Sequence, residues 1–243
     1  MDDTFEQERR NNIDRLTADK RLQDMAVDFM RETGPFQYTY NFTWMGLPII
    51  QFPQDMFAMQ EIIWTTRPDL IVETGIAHGG SLVFYASMLE LIGANGMVVG
   101  IDVDIREHNR EEIEKHRLFH RISMIEGSSL DEAVVKEVYR IAKGKKKVLV
   151  ALDSTHTHEH VLRELQQYAS LVTKGSYIVV FDTIIESMPV DSFPDRPWNK
   201  GNNPMTAVHE FLKCTDRFEV DKETENKLLI TVAPTGYLKC IKD

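Results

Sequence analysis

The chain has 243 residues, of which 42% are hydrophobic, and this length suits one large α/β domain with appendages or at most two small domains. A formal net charge of −10, without an extended lysine and arginine run, argues against nucleic acid as the main substrate. Two cysteines, Cys214 and Cys240, are too few for a disulfide framework, and no apolar run is long enough to cross a bilayer, so we expect a cytoplasmic protein.

The first 35 residues are polar and charged, with apolar positions spaced as in amphipathic helices. This spacing predicts one or two helices. Such a segment suits either an arm that packs on a partner subunit or a helix that covers its own domain, and both interpretations stay open. We therefore expect an N-terminal helical segment over residues 1–35 and a second domain over residues 36–243.

Residues 36–48 form an aromatic segment behind the helix breakers Gly34 and Pro35. Its aromatic rings suit either a hydrophobic plug under the domain or a lid over a small-molecule site. Tyr40 and Trp44 are therefore candidates for substrate contact. After a short loop, Asp55 is expected to cap a helix over residues 56–66.

A glycine turn stands at the centre of the pattern. Residues 70–73 form a β-prone run that ends in Glu73, a turn with three glycines follows, and Ser81 opens an apolar helical pattern. The spacing, E-x-G-x-x-x-G-G, differs from the dinucleotide pattern G-x-G-x-x-G. The next predicted strand, residues 97–101, is followed by Asp102, an acid suited to a ribose diol. The acid–glycine–acid arrangement resembles the nucleoside site of class I S-adenosylmethionine (SAM) methyltransferases. A glycine-rich turn in another nucleotide-binding α/β domain is the alternative.

Strands and helices then alternate, which predicts an α/β fold with a doubly wound, mostly parallel, Rossmann-like sheet. The further strands are expected at residues 122–126, 148–153 and 177–182. The helices are expected at residues 81–92, 107–116, 131–142, 159–172 and 205–213. Residues 218–220 and 228–232 are expected to form a terminal antiparallel pair, followed by a last short strand at 237–241.

Four acids follow or end predicted parallel strands: Glu73, Asp102, Asp153 and Asp182. Since the carboxyl ends of parallel strands meet at one edge of a sheet, these acids should share a rim. We assign the first two to the cofactor and the last two to a metal, because paired carboxylates suit Mg²⁺. The expected cofactor contacts are Glu73, Gly75, Ser81, Asp102 and Asp153, with Ser128 or Ser129 beside the adenine.

Three histidines follow Asp153 within seven residues, but their spacing and the lack of partner cysteines argue against a zinc finger. His156 lies in the predicted loop and is a candidate general base, since its usual pKa is close to neutral. A histidine that only caps the loop is the alternative. His158 and His160 are expected to have surface or packing roles at the start of the next helix.

Residues 184–204 form a long connection rich in proline, asparagine and glycine. A connection of this length in a compact domain is usually functional or disordered. Its arginine and tryptophan favour a substrate loop, with Arg196, Trp198 and Asn202 as the candidate contacts.

Several of these stretches together resemble the cephalosporin hydroxylase family, over residues 36–241. The matching stretches are residues 152–162, 180–183, 196–204 and 227–232. The resemblance implies a SAM-methyltransferase fold similar to that of sugar O-methyltransferases that use Mg²⁺ and a histidine base, and that are commonly oligomeric. It implies Asp153 and Asp182 as metal ligands and His156 as the base. Phe181 stands where those relatives have a glutamate, which leaves two carboxylates.

The sequence therefore predicts a SAM-dependent O-methyltransferase acting on a hydroxyl of a sugar or sugar-containing small molecule. Because the methyl group is already activated, the protein has to align the acceptor oxygen and remove its proton. We expect a homo-oligomer that binds no nucleic acid. Three alternatives remain: an oxidative or methoxylating role on a β-lactam, a nicotinamide-dependent oxidoreductase, and a SAM-binding protein without catalytic activity.

Overall fold

Helices and strands alternate through the middle of the chain in the computed structural model, which describes residues 3–190 and 192–243. The helices are α1 Asp3–Ala18, α2 Lys20–Thr33, α3 Pro53–Thr66, α4 Gly80–Leu91, α5 Glu107–Lys115, α6 Glu132–Ala142, α7 His158–Tyr168, α8 Pro204–Lys213 and α9 Lys222–Leu228. The strands are β1 Thr43–Trp44, β2 Leu47–Pro48, β3 Leu70–Thr74, β4 Met97–Asp102, β5 Ile122–Glu126, β6 Val148–Leu152, β7 Tyr177–Val180, β8 Phe218–Val220 and β9 Tyr237–Cys240.

Within the described residues, seven strands form one sheet in the order β5-β4-β3-β6-β7-β9-β8. The first five are parallel to their neighbours, whereas β9 runs antiparallel to both β7 and β8. The doubly wound, mostly parallel sheet is therefore confirmed. In such a sheet the order reverses beside the first strand, and ligands bind outside the carboxyl ends of the strands at that point. Here that point is β3, with β4 on one side and β6 on the other.

The central strands are apolar because both of their faces are covered. Every residue of β3, β6 and β7 is buried. One core cluster packs α3 and α4 against the sheet, and a second packs α6, α7 and α8 against the opposite face. Continuous apolar runs are typical of parallel strands buried on both sides. This rigid sheet fixes the positions of the strand ends, where the candidate site lies.

Two predicted details are wrong, and both involve Asp55. The helix α3 begins at Pro53, a favoured first helical position, and not after a cap at Asp55. Asp55 lies inside the helix, fully buried, and accepts hydrogen bonds from Val232 N at 3.0 Å, Tyr237 Oη at 2.6 Å and Thr231 Oγ1. Residues 228–232 therefore form no strand. The antiparallel pair is instead β8 with β9.

The predicted N-terminal helices are present as α1 and α2. Helix α2 buries Ala26 and Met30, whereas α1 buries none of its described residues. Arg9 of α1 contacts Glu223 of α9 at 3.2 Å, so the first helix lies against the other end of the chain. Among the described helices, none combines the length and the apolar character that a membrane span requires.

Candidate active site

The glycine turn between β3 and α4 is shaped by a close approach of two strands. Gly75 has φ +92°, and a Cβ at this position would lie 2.1 Å from Asp153 O. Only glycine avoids both the left-handed strain and this collision. Asp102 fixes the other side of the turn, because its Oδ2 accepts hydrogen bonds from Ile76 N at 2.8 Å and Ala77 N at 3.2 Å. The ends of β3, β4 and β6 therefore meet around one turn.

A cleft of about 600 Å³ opens at this edge of the sheet. Most of the residues predicted from the sequence line it. These are Tyr40, Gly75, Ser81, Asp102, Ser129, Asp153, His156, Asp182, Arg196 and Trp198. The structure thus brings together predicted cofactor, metal, base and substrate residues from seven separate stretches of the chain. A cleft of this volume suits a small molecule of the size of a nucleoside derivative.

Four predicted site residues lie outside the wall of the cleft. Glu73 lies beneath the turn and is 1% exposed. Ser128 Oγ accepts a hydrogen bond from Leu130 N at 3.2 Å and so shapes its own loop. The Trp44 indole donates to Ser87 Oγ at 2.9 Å and packs edge-on against Phe84, as a plug does. Asn202 Oδ1 accepts from His158 N at 3.0 Å, which joins the loop to α7.

Glu73 holds the first turn of α4 in place. Its Oε2 accepts a hydrogen bond from Ser81 Oγ at 2.7 Å. Burial raises the pKa of Glu73 to about 8, and the hydrogen bonds from Ser81 and Tyr85 only partly offset this effect. The carboxyl group is therefore mostly protonated at neutral pH. It supports the turn from below, whereas Asp102 lies at the surface of the cleft.

Asp153, His156 and Asp182 form the chemical centre of the cleft. Their ligand atoms all lie within 4.8 Å of one another, and His156 Nε2 is 3.2 Å from Asp182 Oδ2. Burial raises the pKa of Asp153 well above its usual value, and the negative charge of Asp182 raises it further. Such a crowd of acids favours a cation, which would relieve the repulsion.

Two carboxylates and one imidazole suit a divalent cation with open coordination positions. Phe181 adds nothing to this group, since it is 2% exposed and belongs to the hydrophobic core. The donor set among the described residues is therefore smaller than the set that the family resemblance implies, but its two carboxylates fit Mg²⁺. Asp153 also accepts a hydrogen bond from Gln51 Nε2 at 2.9 Å.

The predicted substrate loop covers this centre. The Trp198 ring packs edge-on against the His156 ring at 4.7 Å, and the Arg196 guanidinium lies 5.2 Å from the centre of the Trp198 ring. The far end of the loop is held by Glu186, whose Oε2 accepts from Gly201 N at 2.8 Å and Asn203 Nδ2 at 2.6 Å. These hydrogen bonds hold the far end of the described part of the loop, and two of its three candidate residues lie at the cleft.

Among the polar residues that line the cleft, the sequence analysis missed Gln51 and His160. Gln51 lies in a loop with no motif around it, so no sequence signal identifies it. His160 was expected to have a packing role, but it lines the cleft. His158 does meet the expectation, because its Nδ1 lies 2.8 Å from Thr206 Oγ1 and its Nε2 3.2 Å from Glu210. The helical spacing of His158 and His160 is the sequence signal that could assign them different roles, because residues two positions apart on a helix face different directions.

The chain is similar to known proteins over most of its length. The family model described as Rhamnosyl O-methyltransferase/CmcI matches residues 36–241. A rhamnosyl O-methyltransferase of Mycobacterium tuberculosis strain H37Rv is 32% identical over 203 residues, which cover 81% of this chain and 77% of that protein. The Mycobacterium leprae counterpart is 29% identical over 198 residues, with 81% and 82% covered. A CmcI structure with Mg and SAM has the same fold, at a TM-score of 0.59 and 20% identity, with 84% and 78% covered.

Proposed function

We propose a reaction for this chain, which belongs to the rhamnosyl O-methyltransferase/CmcI family. It is a SAM-dependent O-methyltransferase with a class I methyltransferase fold. The acceptor that we propose is a hydroxyl group of a sugar or of a sugar-containing small molecule. The name of the mycobacterial relatives supports a sugar acceptor. The single observation that carries the proposal is the position of the His156–Asp182 pair, in the same cleft as the glycine turn and Asp102.

The cofactor supplies an already activated methyl group, so the protein has to place the acceptor oxygen and remove its proton. We propose that Gly75, Ser81, Asp102, Ser129 and Asp153 border the cofactor. His156 would then act as the general base. Because its Nε2 faces Asp182 Oδ2 at 3.2 Å, a neutral His156 donates there and keeps Nδ1 free to accept a proton. This is the arrangement by which a carboxylate orients a catalytic imidazole.

Asp153 and Asp182 are the proposed ligands for Mg²⁺. When bound, the cation would make an acceptor hydroxyl more acidic and would hold it in place. Asp182 can serve both roles, since one of its oxygens contacts His156 and a carboxylate has a second oxygen. Tyr40, Arg196 and Trp198 are the proposed acceptor contacts, because they line the cleft, Tyr40 from the aromatic segment and the other two from the substrate loop. Trp44, Asn202, Glu73 and Ser128 would support the site from outside it.

The base is tested with His156→Ala and with His158→Ala as the matched control, since His158 contacts Thr206 and Glu210 instead of the cleft. We expect His156→Ala to lower kcat by roughly 10²–10⁴-fold. The affinity for S-adenosylhomocysteine (SAH), measured by calorimetry, should remain nearly unchanged. Full activity of His156→Ala would remove the base from the mechanism.

The metal is tested separately. Activity should fall in EDTA and return with added Mg²⁺, and Asp182→Asn should lower activity in both conditions. Full activity in EDTA would discard the metal, while the role of His156 would stand, because the His156–Asp182 pair can act as a base on its own.

We also propose that residues 1–35 form a helical segment outside the methyltransferase domain of residues 36–243, and that this segment supports a homo-oligomer. Helix α1 buries none of its described residues, and Met25 and Phe29 of α2 are exposed, as is Phe36 beyond it. Sedimentation should show a species larger than 28 kDa at micromolar concentration; a single 28 kDa species would count against this proposal. Two free cysteines, one exposed and one buried, suit the reducing cytoplasm that we propose as its location.

A further inference from the structure

His160 lies in the wall of the cleft and is held from behind by two neighbours. Its Nε2 is 3.2 Å from Ser129 Oγ and 3.4 Å from Glu164 Oε1. The His160 side chain is 17% exposed, whereas Glu164 is fully buried. His160 therefore presents part of its ring to the cleft while one ring nitrogen is engaged within the protein. Neither the base nor the metal site uses it.

The position of His160 along the cleft indicates which part of the cofactor it meets, if the proposed function is correct. Asp102 suits the ribose, and the methyl group must point toward His156 and Asp182, where the acceptor reacts. The adenine then occupies the remaining end of the cleft, on the β5 side of Asp102. Val103, Ser129 and His160 line the cleft there. Val103 is 66% exposed, and an apolar side chain in that position suits the face of a flat ring.

Glu164 is the neighbour that can set the tautomer of His160. Glu164 Oε1 accepts a hydrogen bond from Ser154 Oγ at 2.7 Å, and Glu164 Oε2 has no hydrogen-bond partner among the described residues. A buried carboxyl group with so few donors around it is stabilised by a further N–H. His160 Nε2, 3.4 Å from Glu164 Oε1, is the ring nitrogen placed to supply that N–H. The other ring nitrogen, Nδ1, would then be left as a hydrogen-bond acceptor.

We propose that His160, held in this tautomer by Glu164, selects the adenine base of the cofactor by accepting a hydrogen bond from its 6-amino group at Nδ1. A purine with an oxygen at position 6 would bring an acceptor against an acceptor and would bind more weakly. Ser129 contributes to the same wall, and Glu164 is a positioning residue that acts through His160. The inference rests on the proposed function only in that the cofactor occupies this cleft.

The test compares SAH with its 6-oxo analogue, S-inosylhomocysteine, by calorimetry. The wild-type protein should bind SAH at least about tenfold more tightly, the effect of one hydrogen bond in a buried site. His160→Ala should lose most of that preference, chiefly through weaker SAH binding. His158→Ala, two residues away on α7 and turned toward Thr206 and Glu210, should keep it. Equal loss of preference in both variants would assign the effect to the helix and overturn the proposal.

Glu164→Gln tests the role of the tautomer directly. The amide of glutamine can donate to His160 Nε2 and so favours the tautomer with its proton on Nδ1. The preference should then shift toward the 6-oxo analogue. Nitrogen-15 NMR of wild-type His160 should show the proton on Nε2. A proton on Nδ1, or equal wild-type affinity for the two ligands, would overturn the inference while leaving the proposed function intact. Absence of any SAH binding to the wild-type protein would overturn both.

Discussion

Asp102 holds the glycine turn as well as bordering the cleft. Its Oδ2 accepts from Ile76 N and Ala77 N, and its Oδ1 accepts from Asp104 N at 3.2 Å. We expect Asp102→Ala to weaken SAH binding by about 1.5–3 kcal/mol, the scale of a hydrogen bond to a charged group, because the proposed ribose contact and the support of the turn are lost together. Calorimetry measures this loss directly.

The matched control is Asp104→Ala. Asp104 is an acid two residues further along, and its side chain is exposed and approaches only Arg106, at 4.0 Å, among the ion pairs of the described residues. Its replacement should leave the SAH affinity unchanged. Similar affinities for the Asp102 and Asp104 variants would show that neither acid contacts the ribose.

Asp55 makes the stability of the fold depend on pH. Burial raises the pKa of Asp55 to about 6, against its usual 3.8, although three hydrogen bonds lower it. The folded protein therefore keeps a proton that the unfolded chain releases between these values, so the stabilisation is complete below pH 3.8 and is lost as the pH rises through 6. The difference corresponds to about 3 kcal/mol.

Denaturant unfolding of the wild-type protein and of Asp55→Asn, from pH 4 to pH 7, tests the direction in which the free energy of unfolding changes with pH. The advantage of the wild-type protein should be largest near pH 4 and should shrink by about 3 kcal/mol toward pH 7. Gln60→Ala, on the same helix, removes no titratable group and should show no such trend. An advantage that grows with pH would mean that Asp55 is ionised in the folded protein throughout this range.

Sequence patterns predict functional residues well where the backbone alone determines their position. Asp102 and Asp153 could be expected at the cleft because each ends or follows a parallel strand. Glu73 ends the same kind of run, but β3 continues through Thr74, so its side chain lies beneath the turn. Trp44 and Asn202 could not be distinguished from cleft residues, because the hydrogen bonds that hold them join distant parts of the chain.

At the scale of the elements, the substrate loop is held to the start of α8 by Asn203. Its Oδ1 accepts from Met205 N at 3.0 Å and Thr206 N at 3.3 Å, as a helix cap does, and its Nδ2 donates to Glu186 and to Asn199 O. Asn203 is fully buried. Its removal leaves the start of α8 without its cap and takes one donor away from Glu186, which should cost about 2 kcal/mol.

We therefore expect Asn203→Ala to lower the Tm by about 4–8 °C, as measured by calorimetry. The KM for the acceptor should rise while the affinity for SAH stays nearly constant, because Arg196 and Trp198 lie on the loop that Asn203 holds. Lys200→Ala, an exposed change in the same loop, is the control and should affect neither quantity. A variant that loses stability without any change in KM would show that the loop position does not govern acceptor binding.

Local patterns predicted most helices and strands to within a few residues, because the strands are uniformly apolar and the helices are amphipathic. Helix α9 and the short strands β1 and β2 were not predicted, and residues 228–232, which are rich in β-prone residues, were wrongly predicted as a strand. In the structure Leu229 has φ +60°, and Val232 N donates to Asp55 of α3. A tertiary contact with a buried acid overrides local propensity there, and no pattern within the segment indicates it.

At the scale of the whole molecule, the negative charge of the protein should favour binding of SAM, the methyl-donating form of the cofactor, over SAH. The protein carries a net charge of −10, and Asp102, Asp153 and Asp182 line the cleft. SAM has one more positive charge than SAH, on its sulfonium, and salt screens such attraction. The affinity for SAM should therefore decrease with rising NaCl concentration, while that for SAH should change little. Calorimetry across a salt series measures both, and identical salt dependence would contradict a role for these acids in retaining the cation.

The place of β9 inside the sheet has a consequence for synthesis on the ribosome. β9 pairs with both β7 and β8, and Tyr237 at its start donates to Asp55, a residue 182 positions earlier. Helix α3 is therefore synthesised long before the residues that donate hydrogen bonds to Asp55. Contacts between residues so distant in sequence form slowly. A nascent chain that ends before Tyr237 should remain open to protease near α3 even when β3, β4 and β6 are already paired.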